Sequence, residues 1–277
     1  MDLYLKGRAA VVTGGASGQG RAIALALAER GADVAIGSYL ADRPPVEQGV
    51  DTYQPSAGEL AAVETEIASL GVRALGVALD VRSTESCAAF RDRALEAFGK
   101  IDILASAAGI GAEHPICGHS DVLWDAVIDT NLTGCYRMIK LCLPGMIERR
   151  WGRIINIAST AANIGAKDNP AYCASKAGIL GLTRCVALEG AAFGVTCNAI
   201  NPGFVDTGML RASVRTWLKA EGKGRSVEAF IADIAAGYPQ KRIIQPREIG
   251  ALAAFLCHED ALGLTMEDIT VAAGSLW

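Results

Sequence analysis

No stretch of this chain approaches the ~20 apolar residues that a membrane span requires; its apolar runs are interrupted by Gly, Arg or Glu. The first ten residues carry charges and no long apolar core, so no signal peptide is expected. No block of like charge reaches five or six residues, and the net charge is −4 over 277 residues, which disfavours nucleic acid as a partner. None of the eight cysteines belongs to a C-x-x-C pair and no Cys/His group has zinc-finger spacing. No metal site is therefore expected, and the cysteines read as small core fillers in a reducing cytoplasm. No G-K-[ST] tail follows the glycine-rich turn near the N-terminus, which excludes a P-loop. The absence of G-x-S-x-G argues against an α/β-hydrolase. Apolar residues make up 51% and charged residues 20%, which excludes intrinsic disorder.

What is present is an alternation. Short apolar runs at 9–13, 34–36, 74–79, 101–105, 153–158, 196–200 and 269–271 predict strands, most of them continuous rather than alternating, as in strands covered on both faces. Ala/Leu-rich stretches at 19–29, 57–70, 84–97, 121–149, 170–191 and 246–256 predict helices. The pattern predicts an α/β fold, a doubly wound parallel sheet of Rossmann type, in a single domain over 1–277. Two segments break the rhythm. The 38–56 connection contains Pro44, Pro45, Gly49 and Pro55 and is far longer than the about 2–6 residues usual there, so it is either a functional flap or a solvent loop. Segment 208–239, with Trp217, Phe230 and Tyr238, has the makings of a substrate lid.

The turn Thr13-Gly14-Gly15-Ala16-Ser17-Gly18-Gln19-Gly20 closes the first strand and opens the first helix. Gly14 permits the tight turn, Gly18 clears space for a pyrophosphate, and Gly20 allows close packing of helix on sheet. The helix N-terminus then offers free N–H groups to the phosphates.

Tyr172 and Lys176 stand four apart on a predicted helix and share a face. Asp168-Asn169-Pro170 supplies a capping side chain and a proline at the first helical position. An ammonium beside a phenol favours the phenolate and lowers its pKa, so Tyr172 is expected to exchange a proton with an alcohol or ketone oxygen. Ser159, at the end of a strand, offers a hydroxyl to the same oxygen. Asn131 falls inside the 121–149 helix, where asparagine is a poor helix former. It reads as a solvent-facing polar residue or as a kink holding a water that links Lys176 to solvent.

Taken together, the glycine turn, Asp80-Val81, Ala107-Ala108-Gly109, Asn131, Ser159, Tyr172-x-x-x-Lys176 and Asn201-Pro202-Gly203 resemble the short-chain dehydrogenases/reductases in order and spacing, over nearly the whole chain. The resemblance implies an NAD(P)-dependent oxidoreductase acting on a CH–OH group. Its catalytic tetrad would be Asn131, Ser159, Tyr172 and Lys176. Lys176 would also bond the nicotinamide ribose, Asp80 the adenine edge with the Val81 amide beside it, and Val205 and Thr207 the carboxamide. Ala108, Gly109, Pro202 and Gly203 would complete the cofactor contacts. The chain departs from the family in Ser106-Ala107-Ala108-Gly109, where Asn-Asn-Ala-Gly is frequent, and in Thr265-Met266-Glu267, where Thr-Gly-Gln is frequent.

An acid at the end of the second strand would bond a ribose 2′-hydroxyl; Ser38 stands there instead. The base that favours NADP before the second motif glycine is also missing, with Ser17 in its place. The balance leans to NAD and leaves NADP open, with Arg43 able to reach over from the long loop.

The substrate is expected to be a small secondary alcohol or ketone, with a polyol, sugar or hydroxy acid suited by His114, Asn163 and Lys167 and by the basic residues Arg211, Arg215, Lys219, Lys223 and Arg225. A 3-ketoacyl thioester reductase is the alternative enzyme, and a non-catalytic nicotinamide-sensing protein the alternative of another class. The apolar faces of 121–149 and 170–191 and the resemblance together imply a homotetramer (or homodimer), with the terminal Trp277 docking near a neighbouring subunit.

Overall fold

The computed structural model describes residues 2–44, 46, 50, 53–222 and 224–275. Pro45, Gly49, Lys223 and Trp277, each given a place in the sequence reading, lie outside the described residues.

In chain order the elements are β1 (Ala9–Thr13), α1 (Gly18–Glu29), β2 (Asp33–Ser38), α2 (Ala57–Ala68), β3 (Ala74–Ala78), α3 (Thr84–Phe98) and β4 (Ile103–Ser106). The second half continues with α4 (Asp121–Ile128), α5 (Gly134–Glu148), β5 (Gly152–Ile157), the short α6 (Ala161–Ile164), α7 (Pro170–Gly190) and β6 (Val195–Pro202). It ends with α8 (Gly208–Glu221), α9 (Val227–Gly237), α10 (Pro246–Phe255) and β7 (Asp268–Val271). The strands form one parallel sheet in the order β3-β2-β1-β4-β5-β6-β7.

Both faces of the sheet are covered, which explains the continuous apolar strands. On one face Ile23 and Leu27 of α1 and Ile249 and Ala253 of α10 pack on Val12, Ile36 and Ile103. On the other, Phe90 of α3, Met138 and Cys142 of α5 and Val186 of α7 pack on Val11, Leu104 and Ile154. Burial of each large apolar side chain contributes about 1.5–3 kcal/mol.

The chain order reverses direction across the sheet between β1 and β4, so the connections leaving their C-terminal ends diverge and open a crevice there. Thr13 pairs with Ser106 at the last rung, and the Thr13 hydroxyl accepts from the backbone N–H groups of Ala107 (3.2 Å) and Ala108 (3.1 Å). That bond ties the floor of the crevice across the switch point.

The predicted helix over 121–149 is not continuous. It divides into α4 and α5 around one π-helical turn, Asp129–Thr133, in which the Gly134 N–H reaches back to the Asp129 carbonyl. The turn holds Thr130, Asn131 and Thr133, all weak helix formers. A Cβ on Gly134 would stand 2.7 Å from Val81 Cγ2, so α5 approaches the end of β3 as closely as glycine allows. The extra residue rotates Asn131 into the interior, where it is 2% exposed rather than solvent-facing.

The long connection after β2 is not a free solvent loop. Ala41 N–H donates to the Pro55 carbonyl, and Tyr39 Oη donates to the Pro44 carbonyl at 2.7 Å. Val46 and Val50 pack beside Ile110, Leu123 and Val127, so the segment lies over the crevice.

Candidate active site

Two adjoining cavities occupy the C-terminal edge of the sheet. The first is lined by Gly14, Ser17, Gly18, Gln19, Gly20, Ser38, Asp80, Val81, Ala108, Gly109 and Thr207. The second is lined by Ser159, Tyr172, Gly203, Val205 and Thr207 together with Ala112, Ile164, Phe204, Met209, Leu210, Trp217 and Tyr238. Gln19, Thr207 and Met209 border both. Pro202 borders neither; its carbonyl, at the end of β6, accepts from the Thr160 N–H at 3.0 Å.

The first cavity fits a dinucleotide. Gly14 (φ +69°) lies so close to β4 that a Cβ would stand 2.9 Å from the Ala108 nitrogen, and one on Gly20 would stand 2.2 Å from the Gly14 carbonyl oxygen. Side chains are thus excluded from the cradle on both sides. No side chain caps the first turn of α1 and no acid stands in it, so its N–H groups face the cavity free for phosphate. The buried Thr130 hydroxyl and the Gln19 carbonyl oxygen, both at the cavity, have no protein partner. Behind Gly109, a Cβ would meet Asn131 Oδ1 at 3.4 Å and Lys176 Nζ at 3.5 Å.

In the wall of the first cavity, the Asp80 carboxylate is held two-pronged by Arg82, at 2.9 Å from Nε and 2.8 Å from Nη2. Burial would raise the Asp80 pKa, but hydrogen bonds and charge from Arg82, with Arg43 adding to them, hold it below the ordinary carboxylate value. Arg82 lies 5.0 Å and Arg43 5.9 Å from the Tyr39 ring centroid. Ser38 Oγ accepts from the Ala16 N–H at 3.0 Å, so no acid occupies the position where one would meet a ribose 2′ group. The sequence reading missed Arg82, although the D-x-R spacing that creates the pair is local.

The second cavity brings Ser159 and Tyr172 together. Ser159 Oγ accepts from the Ala161 N–H at 3.1 Å, and Ser159 and Tyr172 line the same cavity. The Tyr172 pKa lies above its ordinary value: burial raises it, and the polar influence of Ser159 offsets only part of that. The lowering expected from Lys176 is not among the influences on the phenol; desolvation dominates instead. Lys176, 5% exposed, donates to the Ile157 carbonyl at 2.8 Å, and its Nζ lies 5.5 Å from the Tyr172 ring centroid. Burial brings its own pKa down to about 8.

Asn131 is saturated by protein. Its Oδ1 accepts from the Ile110 N–H at 2.8 Å, and its Nδ2 donates to the Ile110 carbonyl at 3.0 Å and to Ser175 Oγ at 3.1 Å. It thereby fastens the loop after β4 to α7. Asn169 does not cap α7 with its side chain; Nδ2 donates instead to Glu113 Oε1 at 3.1 Å.

The polar substrate surroundings expected from the sequence are not what line the cavity. His114, Asn163 and Lys167 are exposed and outside its wall. Arg211 is paired with Asp206 (2.8 Å) and Glu228 (3.4 Å), and Arg225 with Asp233 and Glu221. Arg215 and Lys219 are exposed and likewise outside the wall. The lining is mainly apolar, with Glu113 as its acid.

With this geometry in place, comparison with known proteins is informative. Residues 14–275 match a family model described as enoyl-(acyl carrier protein) reductase. The chain is 36% identical over 272 residues to the 3-oxoacyl-[acyl-carrier-protein] reductase FabG of Vibrio cholerae, covering 98% of each chain. It is 36% identical over 261 residues to the D-beta-hydroxybutyrate dehydrogenase of Cupriavidus necator, covering 93% of each. The crystal structure of a single-residue variant of actinorhodin polyketide ketoreductase with NADPH superposes with a TM-score of 0.86 at 33% identity, over 99% of this chain and 98% of that one. The chain belongs to the short-chain dehydrogenase/reductase family, oxidoreductases that use NAD(P) to interconvert an alcohol and a carbonyl.

Proposed function

We propose that the protein interconverts a 3-oxoacyl group and the corresponding 3-hydroxyacyl group in a neutral substrate, with NADP(H) preferred to NAD(H). The observation that carries this reading is the presence of Ser159 and Tyr172 together in the wall of a mainly apolar cavity beside the glycine cradle. An oxygen on the third carbon of an acyl chain is supported by relatives named 3-oxoacyl-[acyl-carrier-protein] reductase and D-beta-hydroxybutyrate dehydrogenase. The mainly apolar surface of the lining suits an acyl chain better than a polyol or sugar.

Bound nicotinamide supplies or accepts the hydride at the carbon that bears this oxygen. In reduction the oxygen accepts hydrogen bonds from Ser159 and Tyr172, and the Tyr172 proton passes to it as negative charge develops. The raised phenol pKa keeps that proton in place at neutral pH, which is the form reduction requires. After its bond to Ile157, the Lys176 ammonium retains two N–H donors for a ribose hydroxyl. Asn131 acts as a positioning residue, holding Ile110 against the helix that carries tyrosine and lysine. Gly14, Ser17, Gly18, Gln19 and Gly20 cradle the pyrophosphate, Asp80 and Val81 border the adenine, and Val205 and Thr207 border the nicotinamide. Ser38 offers no charge against a 2′-phosphate, and the exposed Arg43, 5.9 Å from the ring centroid of the adjoining Tyr39, supplies a cation on that side. The 38–56 connection serves as a flap over the adenine end, and α8 with α9 as a cover over the substrate.

The protein is proposed to be a cytoplasmic homotetramer. Val122 of α4, Tyr136 of α5 and Leu188 of α7 are 61%, 45% and 70% exposed on the helices whose apolar faces exceed what the sheet covers. No helix among the described residues is long and apolar enough to cross a membrane.

Tyr172→Phe is expected to lower turnover of ethyl acetoacetate at least about a hundredfold while NADPH still quenches protein fluorescence on binding; near-normal turnover would contradict the assigned role. Lys176 gives a stability signature. Below pH 8 its amine is charged in folded and unfolded chains alike, so the folded state bears the full cost of burial. Between that point and the free lysine value of ~10.4 only the unfolded chain keeps the proton, so this group's contribution to stability rises with pH. In urea unfolding, the stability of Lys176→Met minus that of wild type should fall by up to about 3 kcal/mol from pH 7 to pH 10. Arg43→Ala is expected to shift the NADPH/NADH ratio of kcat/KM toward NADH by about tenfold. Light scattering should return four times the 28.8 kDa chain mass.

A further inference from the structure

Glu113 stands on the loop after β4, at the rim of the substrate cavity. Its carboxylate accepts from Asn169 Nδ2 at 3.1 Å, at the start of α7, and from Trp217 Nε1 on α8. Both donors are neutral. Among the described lining residues there is no Lys, Arg or His to balance the charge. Of the described basic residues on α8 and just beyond it, Arg211 is committed to Asp206 and Glu228, Arg225 to Glu221 and Asp233, and Arg215 and Lys219 are exposed outside the cavity wall.

The arrangement is built rather than incidental. Asn169, buried at the N-cap position of α7, makes no side-chain cap bond; its Nδ2 donates to Glu113 and, at 3.5 Å, to the Lys167 carbonyl. The His114 N–H donates to the Asp168 carbonyl at 2.6 Å, locking the Glu113 loop to the start of the same helix. Three segments far apart in sequence thus hold one uncompensated negative charge where substrate enters.

We propose that Glu113 sets the charge of the accepted substrate, rejecting free β-keto carboxylates and admitting β-keto acyl groups whose carboxyl is masked as an ester or thioester. This inference rests on the 3-oxoacyl reading above and narrows it. A fixed carboxylate without a counter-cation raises the free energy of a second anion placed beside it and leaves a neutral carbonyl compound unaffected. Because Glu113 is solvent-exposed, the repulsion is screened, and the discrimination is several-fold and salt-dependent.

The test compares kcat/KM for acetoacetate and ethyl acetoacetate, with NADPH, in wild type, Glu113→Gln and Glu113→Lys at low and high salt. Glutamine keeps the shape and an acceptor oxygen, so a purely structural role would move both substrates together or neither. The expected result is a rise of about fivefold for acetoacetate in Glu113→Gln, a further rise in Glu113→Lys, and less than about a twofold change for the ester. High salt should help wild type with acetoacetate and leave Glu113→Gln unmoved. An acetoacetate-to-ester ratio that is the same in all three proteins overturns the inference alone. Wild type turning over neither compound removes the 3-oxoacyl reading and the inference with it.

Discussion

A lysine amine held in the interior governs the layout of this protein. Lys176 Nζ is nearly sealed from water and has one protein acceptor, the carbonyl that ends β5. Burying an ammonium is costly, and the fold meets that cost with tightly packed layers on both faces of the sheet. The consequence is geometric. For Nζ to reach Ile157, α7 must cross beside the end of β5, which places Tyr172 one turn earlier, next to Ser159. The remaining donors of the amine then point toward Gly109, where the absence of a side chain leaves the approach from the crevice open.

The parts of the site that were legible in the sequence are those whose chemistry is local. The glycine turn is built from backbone within eight residues, and Tyr172 and Lys176 stand one helical turn apart on α7. Strand positions were legible because strands buried on both sides show no alternation. What escaped detection needed tertiary proximity. Asn169 reads as a cap because Asn before Pro usually is one; only the fold reveals that no cap bond forms and that its amide N–H is donated to Glu113. The basic residues beyond Gly208 suggested a polar site for a polyol, sugar or hydroxy acid, yet Arg211 and Arg225 are neutralised by Asp206, Glu221, Glu228 and Asp233. The phenol was expected to be acidified by the amine, whereas desolvation, invisible in a sequence, acts on both groups and moves each toward its neutral form.

Helix 121–149 was read as one element because its apolar residues continue without a stop signal. The cluster Thr130, Asn131, Thr133 and Gly134 was the available sign of a fault, since it combines weak helix formers with a glycine. The fault lets an amide side chain hold the backbone of Ile110 from both its N–H and its carbonyl, a grip that a side chain on an uninterrupted helix face would not achieve at this place. The cavity and the cradle are joined by this grip, because Ile110 follows directly on the glycine of the β4 loop.

The inserted residue in the π turn also works as a phase shifter. In an α-helix each added residue turns the following side chains by about 100°. With the insertion, Leu123 and Val127 of α4 are directed at Ile110 and Ala171, beneath the tyrosine, while Met138 and Cys142 of α5 are directed at the sheet. One stretch of chain thereby serves two neighbours that no single apolar stripe could serve. The number of residues between Val127 and Met138 is therefore as constrained as their identity: removing any one of them would turn every later side chain of α5 away from the core.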